Sequence, residues 1–369
     1  MRNKIYSLSL MFSLILLLGT SCSSDQPKKK LVEEPKKEIK ENQALIQFLE
    51  QSGNFINSHR IPTLISADEV YANLKKYYVI DLRSHSAYVN GHIDGAVNVA
   101  KADLISYMKK NVAAGTYEKI VLVCYSSQNA SFASMLLQLL GYKNVYSMKW
   151  GMSSWDVNNN KWLNAISDKY ASKLETKDNP KLPKSSLPEI KTGKTLGYDI
   201  LEERAKEVLK KSDFIIKIDK LMQNPSDYYI INYWPEYNYQ KGHLPGAVQY
   251  TPKQSLSRDA DLLTLPKDKK IVVYCYTGQH AAMVVAYLQV LGYDAYTLAY
   301  GANSFMHSKL TSLKIGHAFT RKEIKNYPLV QGELPSLKTE GTTNNSIEEE
   351  PAPVPVIKKK KVEEEEGGC

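Results

Sequence analysis

The feature that most limits what this chain can fold into is that it repeats itself. GHIDGAVNV (91–99) returns as GHLPGAVQY (242–250), KIVLVCY (119–125) as KIVVYCY (270–276), and LQLLGY (137–142) as LQVLGY (288–293). His92 and His243, Cys124 and Cys275, and Gly141 and Gly292 each lie 151 residues apart. One fixed offset at three landmarks requires a duplicated domain with no net insertion between them. Further on, Trp150-Gly151-Met152 matches Tyr300-Gly301-Ala302 after a one-residue deletion. The 369 residues therefore hold two like units plus connecting chain, in keeping with roughly 150 residues per domain.

Each copy carries the same order of signals. In the first, Ser66 and Glu69 have capping-box spacing ahead of a predicted helix ending near Lys76. YYVID (77–81) reads as a short apolar strand, and GHIDGA as a turn feeding a second strand, AVNV. The run from Ile120 to Val123 is continuously apolar, the mark of a central parallel strand buried on both faces. A polar loop, an apolar helix over about 131–140 closed by Gly141, and a last strand over 144–148 complete the unit. Strands alternating with helices predict an α/β domain with a parallel sheet.

The chain has four cysteines, too few for a disulfide framework at this length. Cys124 and Cys275 each end the predicted central strand, ahead of a polar loop and a helix. In open α/β sheets ligands bind beyond the carboxyl ends of the strands. There, loop N–H groups and a helix N-terminus supply positive potential, which lowers a thiol pKa and favours a nucleophile or a bound persulfide. One buried cysteine is more often packing. Two at equivalent strand ends point to chemistry. The loops read Cys124-Tyr125-Ser126-Ser127-Gln128-Asn129 and Cys275-Tyr276-Thr277-Gly278-Gln279-His280. A phosphatase loop of this length needs arginine at the following position to hold phosphate oxygens. Ala130 and Ala281 stand there, which argues against a phosphatase or arsenate reductase.

Together, D-L-R (81–83), GHIDGA, VCYSSQ, LLGY and KWGMSSW (149–155) resemble a rhodanese domain, as do GHLPGA, YCYTGQHA (274–281), VLGY and YGANSF (300–305). The resemblance implies two α/β domains, each a twisted parallel five-stranded sheet with helices on both faces. It also implies sulfurtransferase chemistry: a thiolate takes sulfane sulfur from a donor such as thiosulfate or polysulfide and passes it to a thiol acceptor. Cys275 and Cys124 would be the catalytic residues and the loops the persulfide cradle, with no cofactor. Asp81 and Arg83 match the pair that holds the family's scaffold near the site. The second copy has Asn232 and Trp234 at those positions but keeps Gly278, where the first has Ser127. If that position needs a positive φ, serine there costs about 1 kcal/mol. Cys275 is ranked ahead of Cys124 because loop geometry touches the chemistry directly. Neither loop contains the Arg or Lys that holds thiosulfate's anionic end in dedicated thiosulfate enzymes. His280 either senses or donates a proton or faces solvent. His92 and His243, one per turn, make no metal site. The rival to an enzyme is a catalytically quiet binding module or persulfide carrier built on this fold.

Arg2 and Lys4 precede an apolar stretch over 5–18 that is too short to span a bilayer and reads as a signal-peptide core. Leu17-Leu18-Gly19-Thr20-Ser21-Cys22 resembles the lipobox of bacterial lipoproteins, which implies acylation at Cys22 and an anchor on the periplasmic side or the cell surface. An ordinary secretory signal is the alternative. The expected organisation is signal peptide 1–21, flexible tether 22–45, first domain 46–165, linker 166–195, second domain 196–318, and a largely disordered extension 319–369. The net charge of +9 has its conspicuous clusters in the mixed-sign runs 28–41 and 358–366, so no nucleic-acid partner is expected. Cys369, after Gly-Gly, is either a terminus without a role or a mobile thiol that accepts sulfur from Cys275.

Overall fold

The computed structural model describes residues 40–59, 63–112 and 116–333. The expected signal peptide, Cys22, most of the tether, and the tail from residue 334 with Cys369 lie outside the described residues. In the first copy, α1 (Glu41–Gln51) precedes β1 (Leu64–Ile65), α2 (Ala67–Ala72), β2 (Tyr77–Asp81), α3 (His85–Asn90), β3 (Val97–Asn98), α4 (Leu104–Asn111), β4 (Lys119–Val123), α5 (Gln128–Leu139), β5 (Val145–Met148) and α6 (Met152–Trp155). The second runs α7 (Gly197–Lys210), β6 (Ile215–Ile216), α8 (Ile218–Gln223), β7 (Tyr228–Asn232), α9 (Glu236–Tyr239), β8 (Val248–Gln249), β9 (Lys270–Tyr274), α10 (Gln279–Val290), β10 (Ala295–Leu298) and α11 (His307–Ser312). Each copy forms a five-stranded sheet, ordered β1-β5-β4-β2-β3 and β6-β10-β9-β7-β8, with every pair parallel.

The central strands are apolar throughout because both faces are covered. Val79, Val121 and Val123 pack with Val70 and Trp155 on one side. Ile80, Ile120 and Leu122 pack on the other against α5, through Phe132 and Leu136. At the head of α2, the Glu69 N–H donates to Ser66 Oγ at 3.1 Å, but the Glu69 carboxylate pairs with Lys119 instead of returning to the cap. That helix stops at Ala72, short of Lys76.

The two copies share one core. Helices α5 and α10 are buried on nearly every face, because each lies between its own sheet and the other helix. Helix α1 packs on α7, and this explains why it begins at Glu41, inside the segment expected to be tether: Leu45, Ile46 and Leu49 form a stripe that the second copy buries. The linker also belongs to this arrangement. Glu175 pairs backbone-to-backbone with His243, Ser185 N–H donates to Leu263 O at 2.7 Å, and Leu187 is buried. The described part of the C-terminal extension returns to the first copy, where Val330 pairs with His92 and Tyr327 N–H donates to Trp155 O at 2.8 Å. The chain leaving each copy thus clasps the turn histidine of one copy or the other.

Candidate active site

Both cysteines lie one residue beyond their strands, β4 and β9, not within them as the sequence suggested. The loops turn through left-handed residues, Ser127 at φ 73° and Gly278 at φ 74°, and α5 and α10 begin at the next residue. The earlier helix start, at Gln128 instead of Ser131, follows from that turn. It aims a series of amides at each sulfur. Ala130 N–H donates to Cys124 Sγ and Ala281 N–H to Cys275 Sγ, both at 3.4 Å. Amides of Ser126, Ser127 and Asn129 complete the ring at Cys124; those of Thr277 and Gly278, with the Thr277 hydroxyl, complete it at Cys275.

The expected lowering of the thiol pKa does not follow from this ring. Both sulfurs are buried, and burial, which disfavours a thiolate, pushes both thiols up even though the amides pull the other way. The cradle is placed to hold an anion on sulfur once one forms, and it does not create one at rest.

Serine in the left-handed position is accommodated by a small polar network. Ser127 Oγ lies 2.6 Å from Ser147 Oγ and 3.4 Å from Ser131 Oγ. Gly278 is there for a different reason: a Cβ would come within 2.5 Å of Gln128 Nε2, which reaches in from the first copy. Two further glycines support the cradle and were not singled out from the sequence, although the repeated Trp-Gly and Tyr-Gly pairs marked them. A Cβ on Gly151 would fall on Cys124 O and Ser127 N, and one on Gly301 on Cys275 O and Gly278 N.

The flanking pairs differ between copies as their sequences do. Asp81 and Arg83 form a fully buried ion pair at 2.6 Å, and the guanidinium also donates to Gly91 O and lies over the Tyr125 ring. In the second copy Trp234 stacks on Tyr276 where the first sets Arg83 over Tyr125, and Asn232 donates to the Tyr274 hydroxyl at 2.9 Å. Packing replaces charge at the same place.

The structure also brings the two loops to each other, which the sequence did not indicate. Gln128 Nε2 donates to Leu298 O at 3.1 Å while its Oε1 accepts from Tyr300 N–H at 2.9 Å; in return Gln279 Nε2 donates to Ser126 O at 3.3 Å. His280 is neither free in solvent nor charged. Its Nε2 lies 3.1 Å from Thr63 Oγ1 of the first copy, and burial first, then the charges of Lys253, His317 and Lys149, push its pKa down to about 4. Cys275, Tyr276 and His280 line a cavity of about 40 Å³ that Lys253 and Thr63 share. Lys253 is a basic group the loop sequences lacked, delivered from 22 residues upstream of the cysteine by the chain after β8. Trp150 stands edge-on to Trp162 and Phe319, while Trp155 packs with Tyr71 and Tyr327 on the C-terminal segment. His92 and His243 are buried, each bonded through Nδ1 to a backbone carbonyl at 2.9 Å and stacked on a tyrosine. Among the described residues no cluster of three His, Cys, Asp or Glu is placed to hold a metal ion.

Residues 66–158 and 217–308, together half of the chain, match the Rhodanese-like domain family. The thiosulfate sulfurtransferase GlpE of Shewanella oneidensis is 32% identical over 81 residues, covering 22% of this chain and 77% of that protein. The uncharacterized protein YqhL of Bacillus subtilis is 28% identical over 102 residues, covering 28% of this chain and 79% of that protein. Among solved structures, SseA of Escherichia coli, described as a 3-mercaptopyruvate sulfotransferase, aligns at 16% identity over 64% of this chain and 97% of its own, with a TM-score of 0.25. With two matched segments, each carrying a strand-end cysteine under a ring of amides, the chain belongs to the rhodanese-like domain family, as two copies of the domain in tandem.

Proposed function

We propose that the protein is a sulfurtransferase that carries sulfane sulfur as a persulfide on Cys275, with Cys124 as a second site. The observation that carries this reading is the ring of inward N–H groups at each sulfur, which stabilises a persulfide anion as an oxyanion hole stabilises oxygen. Cys275 has the additional Thr277 hydroxyl and the adjoining cavity. The deprotonated thiol attacks the outer sulfur of a donor of the thiosulfate or polysulfide class, the donor's sulfur–sulfur bond breaks to release sulfite or a shortened polysulfide with the electron pair, and a thiol or cyanide acceptor then removes that sulfur and restores the thiolate. Similarity to a thiosulfate sulfurtransferase supports a donor of this kind. Cys275→Ser should lose most thiocyanate production from thiosulfate and cyanide, while Cys124→Ser keeps most of it. The reverse result would place the chemistry at Cys124.

Burial of both thiols is what favours the quiet binding module. Under that reading neither cysteine gains sulfur mass from thiosulfate, polysulfide or mercaptopyruvate. We also propose that the protein is anchored outside the cytoplasm of a bacterial cell through acylated Cys22, on the strength of the lipobox-like run 17–22. Membrane fractionation of cells expressing Cys22→Ser tests this: the anchored protein should move to the soluble fraction, and retention in the membrane pellet would count against it.

A further inference from the structure

At the end of the first sheet away from Cys124, a small cluster closes on itself. Lys119 opens β4, and its ammonium lies 5.2 Å from the centre of the Tyr77 ring and 5.0 Å from that of Tyr146. Glu69 completes the cluster: its carboxylate pairs with Lys119 and accepts from the Tyr77 hydroxyl at 3.1 Å. One internal carboxylate thus satisfies a cation and a phenol beside two rings.

The second copy rebuilds this place without the carboxylate. Tyr228 pairs with Lys270 in the sheet as Tyr77 does with Lys119, and Tyr296 sits beside Val272 as Tyr146 does beside Val121. At the position of Glu69 stands Lys220, and at that of Ser66 stands Lys217. These three lysines and two tyrosines line an open groove of about 400 Å³ that takes in the edge strand β6. Among the described residues neither Lys220 nor Lys270 forms a salt bridge. Asp219, on which Lys217 acts, is already bonded to Lys169 and Tyr170. Asp213 is the one carboxylate in the groove wall, and it accepts from the Ser212 hydroxyl at 3.0 Å. The wall therefore sets three ammonium groups against a single carboxylate.

We infer that this groove binds an acidic peptide segment, with one carboxylate side chain taking between Lys270 and Tyr228 the place that Glu69 fills in the first copy. The two added cations, Lys217 and Lys220, suit further acidic side chains of the same segment, which a lone small carboxylate does not have. Strand β6 lies at the edge of its sheet with Ile215 37% exposed, so an extended segment can run alongside it. The inference does not depend on the sulfurtransferase reading: Lys270 and Tyr228 begin β9 and β7, whereas Cys275 lies beyond the far end of β9.

Calorimetric titration of the full chain with tetraglutamate at low ionic strength tests the groove. The peptide should bind at least about tenfold more tightly than tetraglutamine or glutarate, and added salt should weaken it. Lys220→Glu returns the residue of the first copy, fills the place from within, and should weaken binding by about tenfold. Lys110→Glu makes the same charge change at an exposed position on α4 and should leave binding within about twofold. Lys270→Gln, which adds no negative charge, should also weaken binding and serves if Lys220→Glu fails to fold. No binding of tetraglutamate, equal losses in Lys220→Glu and Lys110→Glu, or glutarate bound as tightly as the peptide would overturn the inference.

Discussion

At Cys124 and Cys275 two effects act on one atom in opposite directions: amides that favour a negative sulfur, and burial that disfavours it, with burial the larger. The amide ring was legible in the sequence, because a strand, a short polar loop and a helix in succession fix where the N–H groups point. The burial was not, because it depends on residues distant in the chain that close over each loop. His280 makes the same point in measurable form. In the folded protein its imidazole is neutral down to about pH 4, buried against Thr63 with the charges of Lys253 and Lys149 acting on it, whereas in the unfolded chain it titrates near 6.5. Between those two values the unfolded state binds a proton that the native state does not, so stability falls as pH drops from about 6.5 towards 4. Urea unfolding at pH 7.5 and pH 5 should show a larger loss on acidification for the wild type than for His280→Gln. Equal losses would mean that His280 is not the group held neutral.

At the scale of elements, the strands and helices are mostly where their patterns put them. YYVID is β2, and Gly141 closes α5 at φ 103°. The boundaries that moved did so for local reasons: α5 starts early because Ser127 takes up the left-handed turn, and α2 ends early at Asn73, whose side-chain amide donates to Glu69 O at 2.9 Å. The loop and the residues after the last strand meet closely in each cradle, and at Cys275 Gly301 is the residue that permits it. Gly301→Ala adds a left-handed backbone cost of about 1–2 kcal/mol and also drives a methyl into Cys275 O and Gly278 N. Gly95, at φ 73° with nothing within 4 Å of its added methyl, supplies the control. Both alanine variants should melt lower, but only Gly301→Ala should lose sulfur loading at Cys275, by at least about tenfold. Equal loading in the two variants would show that the cradle tolerates displacement.

At the scale of the whole molecule, duplication has become mutual dependence. Two helices that each look self-sufficient as apolar segments, α5 and α10, cover each other. Gln128 and Gln279, equivalent residues by the repeat, cross to the opposite loop, and the segments carrying Glu175 and Val330 close over the turn histidines of the second and first copies. The copies have diverged within this frame. The first keeps the Asp81–Arg83 pair, whereas the second keeps the loop glycine, with part of its cavity wall borrowed from its neighbour. This division of features leaves each copy with a different part of the family's pattern around an equally buried cysteine.

The amino-acid sequence by itself determined the tandem repeat, the parallel α/β class, the family and the two strand-end cysteines. These follow from periodicity, from turn chemistry and from residues close together in the chain, and such local signals survive without knowledge of what packs where. Only the tertiary structure decided that both thiols are pushed up, that the two loops interlock, that the linker and the 319–333 segment are pinned to the domains, and that Lys253 and Thr63 meet beside Cys275. The physical reason is separation along the chain. Thr63 and His280 are 217 residues apart, and burial, charge and cavity shape at such a meeting point depend on every element packed around it.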